Sequence, residues 1–472
     1  MRTSLRLALS LVPLAGWLQA QAPPPSPPLQ GAASGEDPVL ATLIQKGLAM
    51  NPDLAQARVL VDAERERAPQ AQALPDPTLS LGIQNDGLKR IEVGQMDTSY
   101  YEIMVTQPLP WPGKRALRAE VATLGSKSAE QATARARLTV EADIRRAYTG
   151  LQLVRTQLGL LDQQAGFLAQ AESTARSRYE VGQGSQADLL RAQLERTRTA
   201  QARSRLQSQE RAQQAALNRV LGQAPDTPVP TGWSLSQVPD PAPVPADFQA
   251  QAEAESPELH AARLGTEQAQ RSLDLARLDR HPDFTVSAGY MPRGGLDPMW
   301  TASVGITLPV WQKHKQQRAV AEQEDRRRAS DWEVEKVRCL LQQRIQERSA
   351  EMDSALQVLK LYRDGLLVQS EATFRATLAQ FTVGRQPFLA VLEALDGWVA
   401  DQSGQAQAQA QAQAVRIALL ELNLGPTPQI NAAALPSGAL GSQAMGGPSA
   451  GAAKAGPAPA AGGDSSSSMS SM

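Results

Sequence analysis

Apolar residues recur every seven positions in the middle of the first half of the chain. Two rows follow this spacing: Ile144, Leu151, Leu158 and Ala165, and Ala147, Val154, Leu161 and Leu168. A sustained period of seven is typical of helices that pack as coiled coils. Proline is absent from residues 113–224, 310–386 and 388–425, which predicts long helices there. A helix over 112–179 would be about 100 Å long.

Four shorter segments alternate apolar and polar residues, as strands with one apolar face do. Their apolar positions are Leu79, Leu81 and Ile83; Tyr101, Ile103 and Val105; Phe284, Val286, Ala288 and Tyr290; and Trp300, Ala302, Val304, Ile306 and Leu308. The pattern fits a soluble sheet over a core, or a membrane barrel with a wet lumen. The helices use their apolar rows on each other, so no helix is left to cover a soluble sheet. A barrel is therefore favoured, and because four strands cannot close and open edges are not tolerated in lipid, it requires several copies.

The order of motifs in the first half of the chain recurs in the second half. Matching pairs are Asn51-Pro52-Asp53-Leu54 with Ser256-Pro257-Glu258-Leu259, Tyr179-Glu180-Val181-Gly182 with Phe381-Thr382-Val383-Gly384, and Leu217–Gly222 with Leu420–Gly425. The heptad row Ile144, Leu151, Leu158, Ala165 corresponds to Ile345, Met352, Leu359, Leu366. A tandem duplication is predicted, with copies over 38–224 and 246–425 joined by a proline-rich linker over 225–245.

The two ends of the chain differ in composition from the repeated body. Arg2 and Arg6, an apolar run over 7–18 and Ala20-Gln21-Ala22 predict a signal peptide over 1–22 and hence export. A proline-rich leader follows over 23–37, and the Ala/Gly/Ser/Pro-rich tail over 426–472 is expected to be disordered. No apolar run after the signal is long enough for a transmembrane helix. Membrane insertion would therefore require the strands.

The sequence lacks the usual residue patterns for catalysis, nucleic-acid binding and metal binding. Lys+Arg (47) and Asp+Glu (48) nearly balance, which argues against a nucleic-acid partner. Gly113-Lys114 is not a phosphate loop, because Pro108 and Arg115 replace required residues. The three histidines have no metal-ligand spacing, and the sole cysteine, Cys339, cannot form an internal disulfide. We expect no enzyme activity, no cofactor and no metal site.

These motifs together resemble those of the TolC-like outer-membrane efflux family over about residues 38–425. The resemblance is carried by Asn51–Leu54, by Gln107-Pro108-Leu109-Pro110-Trp111-Pro112-Gly113-Lys114-Arg115, by Tyr179–Gly182 followed by Asp188–Ala192, and by their second-copy counterparts. It implies an α+β fold in which a homotrimer forms a twelve-stranded barrel in outer-membrane lipid and continues into a long periplasmic α-helical tunnel. It also implies a passive channel of a tripartite efflux or type I secretion system, docked on a periplasmic adaptor protein and an inner-membrane pump. The segment Trp111–Arg115 most resembles the branch associated with heavy-metal cation efflux.

The resemblance also implies two sets of functional residues near the predicted helical turns. The adaptor-docking tip would consist of Val181, Gly182, Gln183 and Gly184 with Val383, Gly384 and Arg385. A pore gate would be formed by rings of Glu393, Asp188 and Asp396, with Glu393 favoured because it fits an acidic position of the family, whereas Ala390 occupies the other. Alternatively, these three acids are ordinary solvated side chains near a helix N-terminus, where negative charge is favourable.

Two other protein classes remain compatible with parts of the pattern. A periplasmic adaptor also has long helical hairpins, but a duplicated hairpin and four lipid-compatible strands are not expected of it. A structural coiled-coil protein of the cell envelope would explain the heptads alone. Outer-membrane fractionation of a trimer distinguishes the channel from both.

Overall fold

The computed structural model describes residues 37–87 and 90–430. The predicted signal peptide, the predicted leader apart from Asp37, and the predicted tail from residue 431 onward lie outside these residues. The helices are α1 Pro38–Met50, α2 Pro52–Arg65, α3 Arg67–Gln72, α4 Lys114–Glu180, α5 Gln186–Val220, α6 Phe248–Glu255, α7 Pro257–Leu278, α8 Gln316–Leu361, α9 Leu367–Thr382 and α10 Phe388–Glu421. The strands are β1 Thr78–Gln84, β2 Tyr100–Leu109, β3 Asp283–Arg293 and β4 Leu296–Thr307.

Helix α4 has 67 residues and is therefore about 100 Å long, as the sequence predicts. Its heptad positions Ile144 and Leu151 are fully buried against α1 and the end of α5. Further along, Leu168 is buried against α9 and α10. The apolar rows are thus used within one chain, so this part of the molecule is a helical bundle rather than one half of a simple two-stranded rod.

The helix predicted over 310–386 is not continuous, and this expectation is wrong. Residues 310–315 precede α8, and a π-helical turn, Tyr362–Leu366, separates α8 from α9. The turn shifts the heptad row by one residue: Leu366 is 43% exposed, whereas Leu367 is half-buried. The row continues through Phe374 and Phe381, which are both buried.

The last helices of the two repeated motifs also end differently. Helix α5 ends at Val220, and Gly222 has a φ of 66°. Helix α10 ends at Glu421, and Leu422, rather than Gly425, has a positive φ, of 54°. The buried carboxylate of Glu421 holds this end against α4, because it accepts hydrogen bonds from Arg135 at 2.8 Å and Arg146 at 2.6 Å.

The four strands form one antiparallel sheet in the order β1-β2-β3-β4. Val105 pairs with Leu79 on one side and Ala288 on the other, and Ala288 pairs with Ala302. Directly paired residues share a face, so the apolar positions of all four strands lie together. The predicted alternation and the predicted hairpins are confirmed.

Side-chain caps explain why the Asn51–Leu54 motif matters to the fold. The side-chain oxygen of Asn51 accepts a hydrogen bond from Leu54 N at 3.0 Å, and its amide donates to Val220 O at 2.7 Å. Asn51 thereby caps α2 and fixes its start to the end of α5. Ser256 caps α7 in the same way, accepting from Leu259 N at 3.3 Å.

The linker over 225–245 lies across the helices and is fastened by glutamine side chains. Gln152 of α4 donates to Trp233 O at 2.9 Å, and Gln409 and Gln413 of α10 donate to Val238 O at 2.7 Å and Pro239 O at 2.9 Å. Because proline has no backbone N–H, a proline-rich segment offers mainly carbonyl acceptors. Glutamine amides on the helices supply the donors.

Candidate functional site

The apolar face of the sheet is exposed, although it carries many large apolar side chains. Leu81, Trp300 and Val304 are 74%, 79% and 71% exposed. Within residues 37–87 and 90–430, no helix covers this face, because the long helices leave the sheet at one end and pack on each other. An exposed apolar patch of this extent marks a surface that contacts lipid or another protein.

The opposite face of the sheet is lined mainly by small and polar side chains, although Met104 also lies on it. The hydroxyl groups of Thr106 and Ser287 lie 2.9 Å apart across β2 and β3. Gly289 and Gly305 keep this face shallow, since a Cβ atom at either would lie 2.8 Å or less from a threonine side chain. One face therefore suits lipid and the other suits water.

The junction between sheet and helices is held by a buried lysine. Gly113, with a φ of 94°, lets the chain turn from β2 into α4. Lys114 is 2% exposed and its ammonium group lies 3.1 Å from Asp279 and 2.9 Å from Asp283. Trp111 stacks on His281 with ring centroids 4.9 Å apart. The Gln107–Arg115 motif is therefore a structural joint between β2, β3 and α4.

At the far end of the bundle, the two predicted tip turns lie side by side. Residues 181–185 connect α4 to α5, and residues 383–387 connect α9 to α10. Both turns line one cleft, to which Gln183, Gly184, Val383, Gly384 and Arg385 contribute. The structure thus brings together the two tip segments, which are about 200 residues apart in the sequence.

Each turn ends its helix with the same hydrogen bonds. Gly182 N donates to Tyr179 O at 3.0 Å and Gln183 N to Arg178 O at 2.8 Å; in the second turn, Gly384 N donates to Phe381 O at 3.0 Å and Arg385 N to Gln380 O at 2.9 Å. This is the Schellman motif, which places a glycine in the left-handed region. Val181 and Val383 project from the turns and are both 68% exposed.

Aromatic side chains stiffen the bundle directly behind the turns. Phe374 stacks on Trp398 at 5.3 Å and meets Phe167 edge-on at 5.2 Å. The guanidinium of Arg178 lies 5.0 Å from the ring centre of Phe381, so it connects the first turn to the second. Arg178 was not among the predicted site residues. Only the spacing of Phe374, Phe381 and Phe388 at seven residues signals this cluster in the sequence.

The three predicted gate acids lie near the turns but in different environments. Glu393 is exposed and has no ion pair among the described residues. Asp396 accepts a hydrogen bond from Gln164 of α4 at 3.0 Å. Asp188 is half-buried, with a carboxylate oxygen 3.9 Å from Arg191. Of the three, the Glu393 carboxylate is the one most free to face a channel.

An ion-pair network joins α4 to α5 two to three turns behind the tip. Glu172 of α4 binds Arg196 of α5 and also accepts from Arg176 at 3.3 Å. The hydrogen bond from Arg196 lowers the pKa of Glu172, so this carboxylate stays ionised.

In the part of the chain that the structure describes, no group of three or more His, Cys, Asp or Glu residues is arranged to hold a metal ion. Among the helices of residues 37–87 and 90–430, none is long and apolar enough to cross a bilayer.

Several solved structures of outer-membrane proteins have a similar fold. Similar solved structures include VceC of Vibrio cholerae (17% identity, TM-score 0.68, covering 82% of this chain and 96% of that one) and the MtrE outer-membrane channel of Neisseria gonorrhoeae in its open state (18%, 0.67, 82% and 89%). The CmeC outer-membrane channel of Campylobacter jejuni is also similar (12% identity, TM-score 0.65, 82% and 86%). These likenesses show a shared fold. No curated protein sequence matches the chain significantly.

The family assignment rests on the sequence itself. The model of the outer membrane efflux protein family matches residues 43–223 and 249–423, which together make up most of the chain. The two matches lie on either side of the whole linker over 225–245. The chain belongs to the outer membrane efflux protein family, whose members are outer-membrane channels of efflux systems.

Proposed function

We propose that three copies of this chain join their sheets into one twelve-stranded barrel that carries efflux substrates through the outer membrane. The observation that carries this proposal is the uncovered apolar face of the sheet, backed by a polar face. In a closed barrel the apolar face contacts lipid and the polar face lines a water-filled lumen. A single copy leaves β1 and β4 as open edges, which lipid does not tolerate.

The strand order is compatible with such closure. Neighbouring strands alternate in direction from β1 to β4, so β4 of one copy runs antiparallel to β1 of the next. Joining copies edge to edge therefore continues the same pairing round the barrel. Three such β4–β1 contacts, one between each pair of neighbouring copies, close the ring.

The long helices extend the channel away from the membrane in this proposal. Helix α4, about 100 Å long, spans from the sheet to the tip turns. Three bundles side by side would form a periplasmic tunnel wall. The exposed Val181 and Val383, held on rigid glycine turns, suit an apolar docking contact with a periplasmic adaptor, which in turn connects to an inner-membrane pump.

The gate proposal centres on Glu393. In a trimer each acid near the turns occurs three times around the axis, and a ring of carboxylates attracts cations. Glu393 is exposed, whereas Asp188 and Asp396 have partners within the chain. We assign the ring to Glu393 first, with Asp188 and Asp396 in supporting positions.

We further infer the organisation of the chain from its two family matches. Residues 38–224 and 246–425 would be copies of one duplicated unit, with 225–245 as their linker. Export by a signal peptide over 1–22 fits an outer-membrane destination.

Cell fractionation with native electrophoresis tests the proposal. The protein is expected in the outer-membrane fraction as a trimer whose migration changes on heating. A trimer that is absent, or a protein found in the inner-membrane or soluble fraction, would contradict the barrel and favour an adaptor or a structural coiled-coil protein.

A further inference from the structure

We propose that residues 308–318, here called the basic turn, bind the anionic headgroups of phospholipids at the periplasmic surface of the outer membrane. The basic turn comprises the connection from β4 to α8 and the first three residues of α8, at the end of the sheet from which the helices leave. This inference rests on the proposed barrel, because the barrel is what brings the basic turn to the membrane surface.

The first part of the basic turn is apolar and exposed. Leu308, Val310 and Trp311 are 66%, 72% and 71% exposed. Leu308 continues the alternation of Val304 and Ile306 just beyond Thr307, the last paired residue of β4. Val310 and Trp311 follow Leu308 in the turn. Tryptophan is enriched where a membrane protein meets the interface, because its ring is both apolar and polar.

The second part of the basic turn carries a cluster of exposed basic residues. Lys313, His314, Lys315 and Arg318 are all exposed. The backbone amides of His314 and Lys315 both donate to Trp311 O at 3.0 Å, which places the basic residues immediately behind the tryptophan. Among the described residues, no acidic side chain forms an ion pair with Lys313, Lys315 or Arg318. The first turn of α8 contains no acid either.

In the corresponding loop of the first copy, the same residue types have partners within the chain. There Trp111 stacks on His281, and the buried Lys114 pairs with Asp279 and Asp283. In the basic turn the tryptophan and the lysines instead face outward. The contrast within one chain indicates that the basic turn has a partner outside the chain.

The apolar and basic parts together select a lipid as that partner. An anionic phospholipid offers a headgroup of net negative charge for the basic side chains and acyl chains for Leu308, Val310 and Trp311. Inorganic phosphate would use only the basic half. Each Lys or Arg near an anionic membrane surface contributes about fivefold in affinity.

The test uses the purified full-length trimer in detergent, titrated with dioleoylphosphatidylglycerol or dioleoylphosphatidylcholine, with bound lipid counted by native mass spectrometry. The triple variant Lys313→Gln/Lys315→Gln/Arg318→Gln is expected to bind phosphatidylglycerol at least tenfold more weakly, with phosphatidylcholine binding unchanged. A matched control, Arg205→Gln/Arg211→Gln/Lys360→Gln, removes three exposed charges from the helical bundle and should bind like the native protein. Trp311→Ala should weaken the binding of both lipids.

Unchanged phosphatidylglycerol binding in the triple variant would overturn the inference while leaving the trimeric channel intact. So would displacement of that lipid by an equal concentration of inorganic phosphate. If the triple variant does not assemble, the single variant Lys315→Gln provides the same test, with an expected loss of about fivefold. A native protein that forms no outer-membrane trimer would refute the proposed barrel, and the inference with it.

Discussion

Gly182 and Gly166 allow backbone conformation to be separated from side-chain contact. A Cβ atom added at either residue would meet no atom within 4 Å. Gly182 has a φ of 74° at the tip, whereas Gly166 lies in the interior of α4. The same substitution at the two sites therefore differs only in the backbone conformation that it must adopt.

We expect Gly182→Ala to destabilise the tip by about 1 kcal/mol, because the left-handed region is unfavourable for a residue with a Cβ. Gly166→Ala should stabilise α4 by about 1 kcal/mol. Hydrogen exchange of the amides in residues 178–186 measures the first effect, and thermal unfolding of the trimer measures the second.

If docking uses this turn, Gly182→Val or Gly384→Val abolishes export while trimers persist. Normal export with both positions substituted would refute docking at the tip.

The acids near the turns permit a graded test of the gate. Glu393→Gln is expected to reduce cation selectivity and block by multivalent cations in single-channel recordings, because it removes three charges from one ring. Asp396→Asn serves as the control. It should change cation selectivity and multivalent-cation block less, because Asp396 accepts a hydrogen bond from Gln164 within the chain. A larger effect at Asp396, or none at Glu393, would remove Glu393 from the gate.

Elements differ in how far the sequence predicts them. The strands were predictable because alternation is a local pattern of period two, and a shift of one residue would reverse the face of every side chain. The π-helical turn was not predictable from the sequence, because residues 366 and 367 are both leucine and either can continue the heptad row. Likewise, the glycine turns were predictable, but the contact of Arg178 with Phe381 was not, because it joins residues distant in sequence.

The two faces of β4 provide a test of the strand register. Val304→Arg should destabilise the barrel by about 2–4 kcal/mol if Val304 faces lipid near mid-bilayer. Ser303→Arg, one residue away on the polar face, should be tolerated. The amount of trimer in unheated samples of the outer-membrane fraction reports both variants. Equal effects at the two positions would contradict the assigned faces.

The one-residue shift at the π-helical turn makes a deletion testable. Removing Gly365 should convert the turn to regular α-helix and keep both Leu359 and Leu367 in the buried row, so thermal stability of the trimer should be retained. Deleting Ala355 instead would bring Lys360 to the position of Leu359, which is 1% exposed, and should destabilise by several kcal/mol. Equal destabilisation by the two deletions would show that the extra residue does not account for the shift.

At the scale of the whole molecule, the free edges of the sheet determine how copies can join. Strands β1 and β4 are separated by two others, hence by about 14 Å within one chain. A disulfide requires Cα atoms within about 7 Å. A bond between these strands can therefore form only between copies.

Cysteine pairs that combine Leu81→Cys with Ala302→Cys, Val304→Cys or Ile306→Cys test this joining in a Cys339→Ser background. All four positions lie on the apolar face, and in a closed ring at least one pair should face its partner in the neighbouring chain. Oxidation is then expected to yield covalent trimers on denaturing gels. Leu81→Cys with Ser303→Cys is the control, because Ser303 points to the opposite face and should yield no trimer. Single-cysteine variants should remain monomeric on the same gels. A ring of three copies closes after three bonds, whereas an open chain of copies continues to grow. A ladder of species larger than the trimer would therefore contradict closure of β4 on β1 of the next copy. The absence of cross-linked species from all three pairs would contradict it as well.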